Sequence, residues 1–175
     1  MFGGVGHILF EDESSIRDYQ TIMKTWFPKG EQKVIKTYGK HDSVKLTGII
    51  DYETGKVYVE ECEKYDAQYF VLFLEKVLKL YPNGKIVMVL DNSKVHHAIL
   101  VKEFLEKNKR LQFMYLPPYS PNLNIIEGLW GWLKDTCINN VFFSKVYEIA
   151  LAVRKFVKNI NEDLNSIIDR LCVQL

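Results

Sequence analysis

The chain has 175 residues, 47% of them hydrophobic and 13% aromatic, which is enough apolar material for one domain with a buried core and too much for a disordered chain. Its formal charge of +1 supplies no bulk attraction to nucleic acid, so a partner of that kind has to be read from local charge. No apolar run reaches a membrane span, the first residues (MFGGVGHILFEDE) do not form a signal peptide, and Cys62, Cys137 and Cys172 are too scattered for a disulfide framework or a zinc site; a cytoplasmic protein with reduced thiols and no membrane partner is expected.

Residues 7–11 read as a short strand, alternating so that Ile8, Phe10 and Asp12 share one side, with Asp12 at its end. Residues 13–44 read as an extended, loop-rich insertion around Pro28-Lys29-Gly30 and Tyr38-Gly39-Lys40. Lys29, Lys33, Lys36, Lys40 and Lys45 outweigh Glu31 and Asp42 there. A phosphate-binding run and a solvated loop both fit that charge. KLTGIIDY (45–52) and KVYVEECE (56–63) flank Glu53-Thr54-Gly55 as a hairpin. Tyr69, Phe70, Phe73, Leu74, Val77, Leu78 and Tyr81 recur at helical spacing, and Pro82-Asn83-Gly84 stops that helix. KIVMVL (85–90) has the uniform apolarity of a strand buried on both faces. Helices are expected over 95–108, 123–140, 144–159 and 161–173, with a strand over 111–116. The whole reads as a single α/β domain, its core about 7–140 and a helical extension about 144–175.

This order delivers acids to one edge of a sheet. Asp91 follows the buried strand directly, and sites in open α/β sheets form beyond the carboxyl ends of strands. Glu127 arrives on the helix after the next strand, behind a loop stiffened by Pro117, Pro118 and Pro121. Asp12, Asp91 and Glu127 together make an oxygen-ligand site for Mg²⁺ or Mn²⁺. Each also has a plainer reading. Asp12 sits in a solvated acidic run, Asp91 fits a helix cap or Asx-turn, and Asn124 with Glu127 fits a capping box. Ile126, Leu129, Trp130, Leu133 and Cys137 form the core stripe of the third-motif helix. Trp132 and Tyr119 are left for exposed contact, and Gly131 for a close approach. His96 and His97 are neighbours on different faces, so one packs or bonds near the site and the other is exposed.

FEDES, VLDNSKVHHA and LPPYSPNLNIIEGLWGWLK together resemble the three carboxylate motifs of DDE transposases, in the bacterial and archaeal insertion-sequence branch of the mariner superfamily. The resemblance runs from about residue 7 to about 160. It implies an RNase H-like fold with a mixed five-stranded sheet flanked by helices. It also implies a metal-dependent polynucleotidyl transferase: two Mg²⁺ (or Mn²⁺) ions held by Asp12, Asp91 and Glu127, strand cleavage at transposon ends, and transfer of the freed 3′-hydroxyl into target DNA. Asn92, His96 and Asn124 are expected to support the acids, and Lys134 with the lysines of 29–40 to hold the DNA backbone. DNA is the implied partner, with a homodimer and a separate helix-turn-helix protein or upstream frame as further ones. The family's N-terminal helix-turn-helix module is expected to be absent, because only a few residues precede the first strand. Members often carry Asp where Asn122 stands and Pro where Ile125 stands. Another RNase H-like nuclease, or a decayed DNA-binding relic, are the alternative readings.

Overall fold

The computed structural model describes residues 5–17, 28–29, 43–118 and 120–172. Five strands form one sheet: β1 (Val5–Arg17), β2 (Ser43–Asp51), β3 (Val57–Cys62), β4 (Lys85–Leu90) and β5 (Leu111–Tyr115), in the order β3-β2-β1-β4-β5. β2 is antiparallel to both of its neighbours, whereas β1, β4 and β5 are parallel. The sheet has the mixed, five-stranded form that the motifs imply.

Strand alternation divides the core into two layers. On one face, Leu9, Ile49, Ile86, Met88 and Leu90 pack against Phe70, Phe73, Leu74 and Val77 of α1 (Ala67–Leu80), with α2 (Ile99–Lys107) beside it. On the other, Phe10, Leu46, Ile50 and Val89 meet Leu129 and Trp130 of α3 (Ile126–Leu133) and Ile149, Val153 and Phe156 of α4 (Val146–Ile160). β4 is buried on both faces, which is why its sequence is apolar throughout. The β2–β3 turn forms as expected: Gly55 takes φ +71°, and Asp51 accepts the N–H groups of Glu53 and Thr54. After α4, the Asn161 side chain accepts from the Val57 N–H (2.9 Å) and donates to its carbonyl (2.8 Å), tying the helical layer to β3.

Several boundaries differ from the sequence reading. β1 does not stop at residue 11. Its antiparallel ladder with β2 continues from Leu9 opposite Asp51 to Arg17 opposite Ser43, because β2 supplies partners for the polar stretch and Ser14 and Ile16 are buried. Asp12 therefore lies inside a strand. It is β4 that ends, its pairing with β1 stopping at Phe10 opposite Val89. The insertion expected over 13–44 loses both ends to strands; Lys33, Lys36 and Lys40 lie outside the described residues. The helix expected over 95–108 splits into a 3₁₀ turn (Lys94–His97) and α2, broken where Ala98 is extended. That expected over 123–140 splits into a 3₁₀ turn (Pro121–Leu123), α3 and a π-helical turn (Lys134–Ile138). The last segment is α5 (Leu164–Ile167) followed by a π-helical turn (Ile168–Cys172). Cys62 and Cys137 are free thiols. Among the described residues, no helix is long and apolar enough to cross a membrane.

Candidate active site

The register of β1 and β4 brings the first two acids level. Phe10 pairs with Val89; two residues further along each chain come Asp12 and Asp91, on the same face by alternation. Past Leu90 the sheet opens into a cleft of about 420 Å³ whose lining includes Asp12, Asp91, Asn92, Pro117, Asn124 and Glu127. All three acids singled out in the sequence thus meet in one cleft, and no lysine or arginine lines it among the described residues.

Specific bonds hold Asp12 and Asp91 in place. Trp130 donates its indole N–H to Asp12 Oδ2 at 3.0 Å. The ring reaches that far because residue 48, opposite Asp12 in the ladder, is glycine; a Cβ there would lie 2.8 Å from the Trp130 ring. Asp91 Oδ1 accepts the Ser93 N–H at 2.8 Å, and the buried His96 has its Nδ1 3.2 Å from both the Asp91 carbonyl and Oδ1. A carbonyl only accepts, so Nδ1 carries the proton. Asn92 donates to the Leu116 carbonyl at 2.7 Å and straps the proline loop to the end of β4. Glu127 stands in the first turn of α3, exposed on the cleft side. The capping box that Asn124 and Glu127 also fit is not formed: α3 has no side-chain cap bond among the described residues, and Asn124 donates to the Glu11 carbonyl at 2.9 Å. The residue is buried, and the unpaired β1 carbonyl is a nearer need than the helix end.

The electrostatics follow from this crowding. Asp12 is pushed up to about 7, first by burial and then by the charge of Glu127, with Asp91 adding less; the Trp130 and Glu13 N–H groups pull the other way. Glu13 is also pushed up to about 7, by burial and then by Asp12 and Asp91. Glu11, wholly buried, is also raised well above the usual carboxylate range, by burial and then by the charges of Glu13, Asp12 and Asp91. Burial lowers His96, against the opposing pull of Asp91. An anionic cleft free of cationic side chains among the described residues, whose acids repel one another, is a donor set that suits divalent cations.

Of the supporting residues expected, His96 touches Asp91 and Asn124 touches β1, Asn92 bonds the proline loop at Leu116, and His97 is exposed, as the pair's spacing implied. Lys29 is exposed and Lys134 half-buried, and neither lines the cleft; Tyr119 lies outside the described residues. Trp132 is not an exposed platform. It packs edge-on against Phe156 with Arg170 over its ring. Among the described residues, a Cβ at Gly131 would meet nothing within 4 Å, so no close approach there explains the glycine. Trp130 was legible as core but not as the donor to Asp12. The available signal was its position three residues after Glu127, on the same flank of the helix.

Residues 7–150 match the family described as DDE superfamily endonuclease. The chain belongs to that family. The chain is 28% identical over 155 residues to an "Insertion element IS630 uncharacterized 39 kDa protein" of Shigella sonnei, a match covering 88% of the chain and 45% of the relative. The chain spans under half the length of the curated relatives it matches. Its fold resembles the Mos1 strand transfer complex (TM-score 0.69, 19% identity, 95% of this chain and 52% of that one). It likewise resembles the catalytic domain of Mos1 mariner transposase (TM-score 0.59, 15% identity, 94% and 78%). The chain therefore has the RNase H-like fold of transposase catalytic domains.

Proposed function

We propose that this chain is the catalytic domain of an insertion-sequence transposase, cutting DNA at transposon ends and joining the freed 3′-hydroxyl to target DNA. The observation that carries the reading is the convergence of Asp12, Asp91 and Glu127 on one cleft free of cationic side chains among the described residues. In this reading the three carboxylates hold two Mg²⁺ or Mn²⁺ ions. When bound, such a pair polarises the attacking oxygen and stabilises the leaving one across an in-line displacement at phosphorus.

The chain's own residues do the rest. Trp130 fixes Asp12 Oδ2, while Ser93 and His96 hold Asp91 Oδ1. The Asn92 strap and Asn124 hold the loop that leads into α3 and Glu127 against β4 and β1. Phosphate contacts from Lys29, Lys33, Lys36, Lys40 and Lys134 belong to the same reading; each adds about 0.9 to the salt slope of binding. A DNA partner agrees with the Mos1 likenesses, which include a strand transfer complex.

Asp91→Asn tests the reading. An Asn oxygen still accepts from Ser93 and His96, so Tm should stay within a degree or two of the parent. Mn²⁺- or Mg²⁺-dependent nicking of DNA carrying the element's ends should fall at least a hundredfold. Nicking at the parent's rate, or cleavage directed to RNA–DNA hybrids or branched DNA instead, would contradict it.

A further inference from the structure

Behind the cleft, on the opposite face of β1, lies a second group of ligand atoms that the transposase reading does not use. Glu11, Glu13 and His96 each offer one, and all lie within 4.8 Å of one another. Glu11 and His96 are 0% and 1% exposed, and among the described residues neither oxygen of Glu11 nor Nε2 of His96 has a hydrogen-bond partner. Burying such groups without partners is costly, so their shared direction needs a cause. The tautomer sharpens this. With its proton on Nδ1 facing Asp91, His96 turns a lone pair toward Glu11 Oε2 at 3.6 Å and Glu13 Oε1 at 4.0 Å. A lone pair facing two carboxylates is repulsive unless a cation stands between them.

Distance indicates which cation. A proton shared by N and O would draw them to about 2.7–3.0 Å. Metal–ligand bonds of about 2.0–2.2 Å instead allow ligand atoms on one ion to lie up to roughly 4.2 Å apart, which takes in the 3.6 and 4.0 Å of the two His96–carboxylate pairs. The acidic partner on Nδ1 is the arrangement that orients metal-bound imidazoles. We infer that Glu11, Glu13 and His96 form a second divalent-metal site, distinct from the Asp12–Asp91–Glu127 cleft. One imidazole and two carboxylates favour Zn²⁺ or Mn²⁺ over Mg²⁺. An ion there ties β1 to the loop after β4 from behind, and through His96 it steadies Asp91.

The test uses the full chain carrying Asp12→Asn and Glu127→Gln, which removes two of the three cleft acids and makes the result independent of whether the cleft cuts DNA. Asp91 is kept because it holds His96. After chelation and dialysis, Co²⁺ is titrated as a spectroscopic probe and Zn²⁺ by competition. The expected result is one equivalent of Co²⁺ with visible ligand-field bands, displaced by Zn²⁺. Adding His96→Gln or Glu11→Gln should abolish it. Glu13→Gln, at the partly exposed ligand, should weaken it at least tenfold while leaving the circular dichroism unchanged. Should the buried substitutions unfold the chain, the Glu13 variant and X-ray absorption of the Zn²⁺ form, with one imidazole nitrogen among its scatterers, carry the test. Absence of stoichiometric uptake by the folded double variant overturns the inference. So does uptake without imidazole nitrogen, or uptake unchanged by Glu13→Gln.

Discussion

At the residue scale, the account depends on how one acid is held. Asp12 sits on a strand whose neighbour has ended, and the Trp130 indole is its side-chain donor. Trp130→Phe keeps the packing of α3 and deletes that bond. Because the bond lowers the Asp12 pKa, its loss moves Asp12 further up, and the acid limb of the metal-dependent nicking profile should shift to higher pH. The cost in stability should be about 1–2 kcal/mol in urea denaturation above pH 8, where Asp12 is ionised. An unmoved acid limb would mean that the indole only packs. The sequence marked Trp130 correctly as core, since an apolar stripe is a periodic signal. Its polar edge depends on Gly48, a residue 82 positions upstream in another strand, and no local pattern carries that.

At the scale of elements, the cleft arises from a mismatch between two strands: β1 continues to Arg17 while its pairing with β4 ends at Phe10. β4 was readable because burial on both faces demands an apolar run. The length of β1 was not, because its second half is polar and is stabilised by the ladder with β2. The Asn124 bond shows the same limit. Asn three residues before Glu reads as a helix cap, yet the amide spans to the Glu11 carbonyl of β1. Asn124→Asp separates the two roles, since Asp caps a helix as well as Asn but has no N–H to donate. We expect a loss of about 1–3 kcal/mol in unfolding free energy, from an unsatisfied buried carbonyl beside an added charge. A neutral effect would restore the capping reading.

At the scale of the whole molecule, the clustered acids set how stability responds to pH and metal. Asp12 and Glu13 have folded values of about 7, against roughly 3.9 and 4.3 in an unfolded chain. Between about pH 4 and 7 the folded state thus holds more protons than the unfolded one, and stability falls as pH rises through that window. Glu11 acts in the same direction; His96, pushed down, opposes it below about 6.5. Three carboxyl groups outweigh one imidazole. At about 1.4 kcal/mol per pKa unit, the net loss is on the order of a few kcal/mol. With a chelator present, Tm should be higher near pH 5 than near pH 8, and Mn²⁺ at pH 8 should recover much of the difference, because ligation replaces the lost protons. A chelated chain that grows more stable from pH 5 to 8 would show that the acids do not crowd.

The central claim is that Asp12, Asp91 and Glu127 share metal ions in the cleft beyond β4. Anomalous diffraction at the manganese edge from crystals of the chain grown with Mn²⁺ tests it most directly. The account predicts at least one peak about 2.1–2.3 Å from carboxylate oxygens of both Asp12 and Asp91, with Glu127 turned toward it. Manganese bound elsewhere while this cleft stays empty at saturating Mn²⁺ would contradict it.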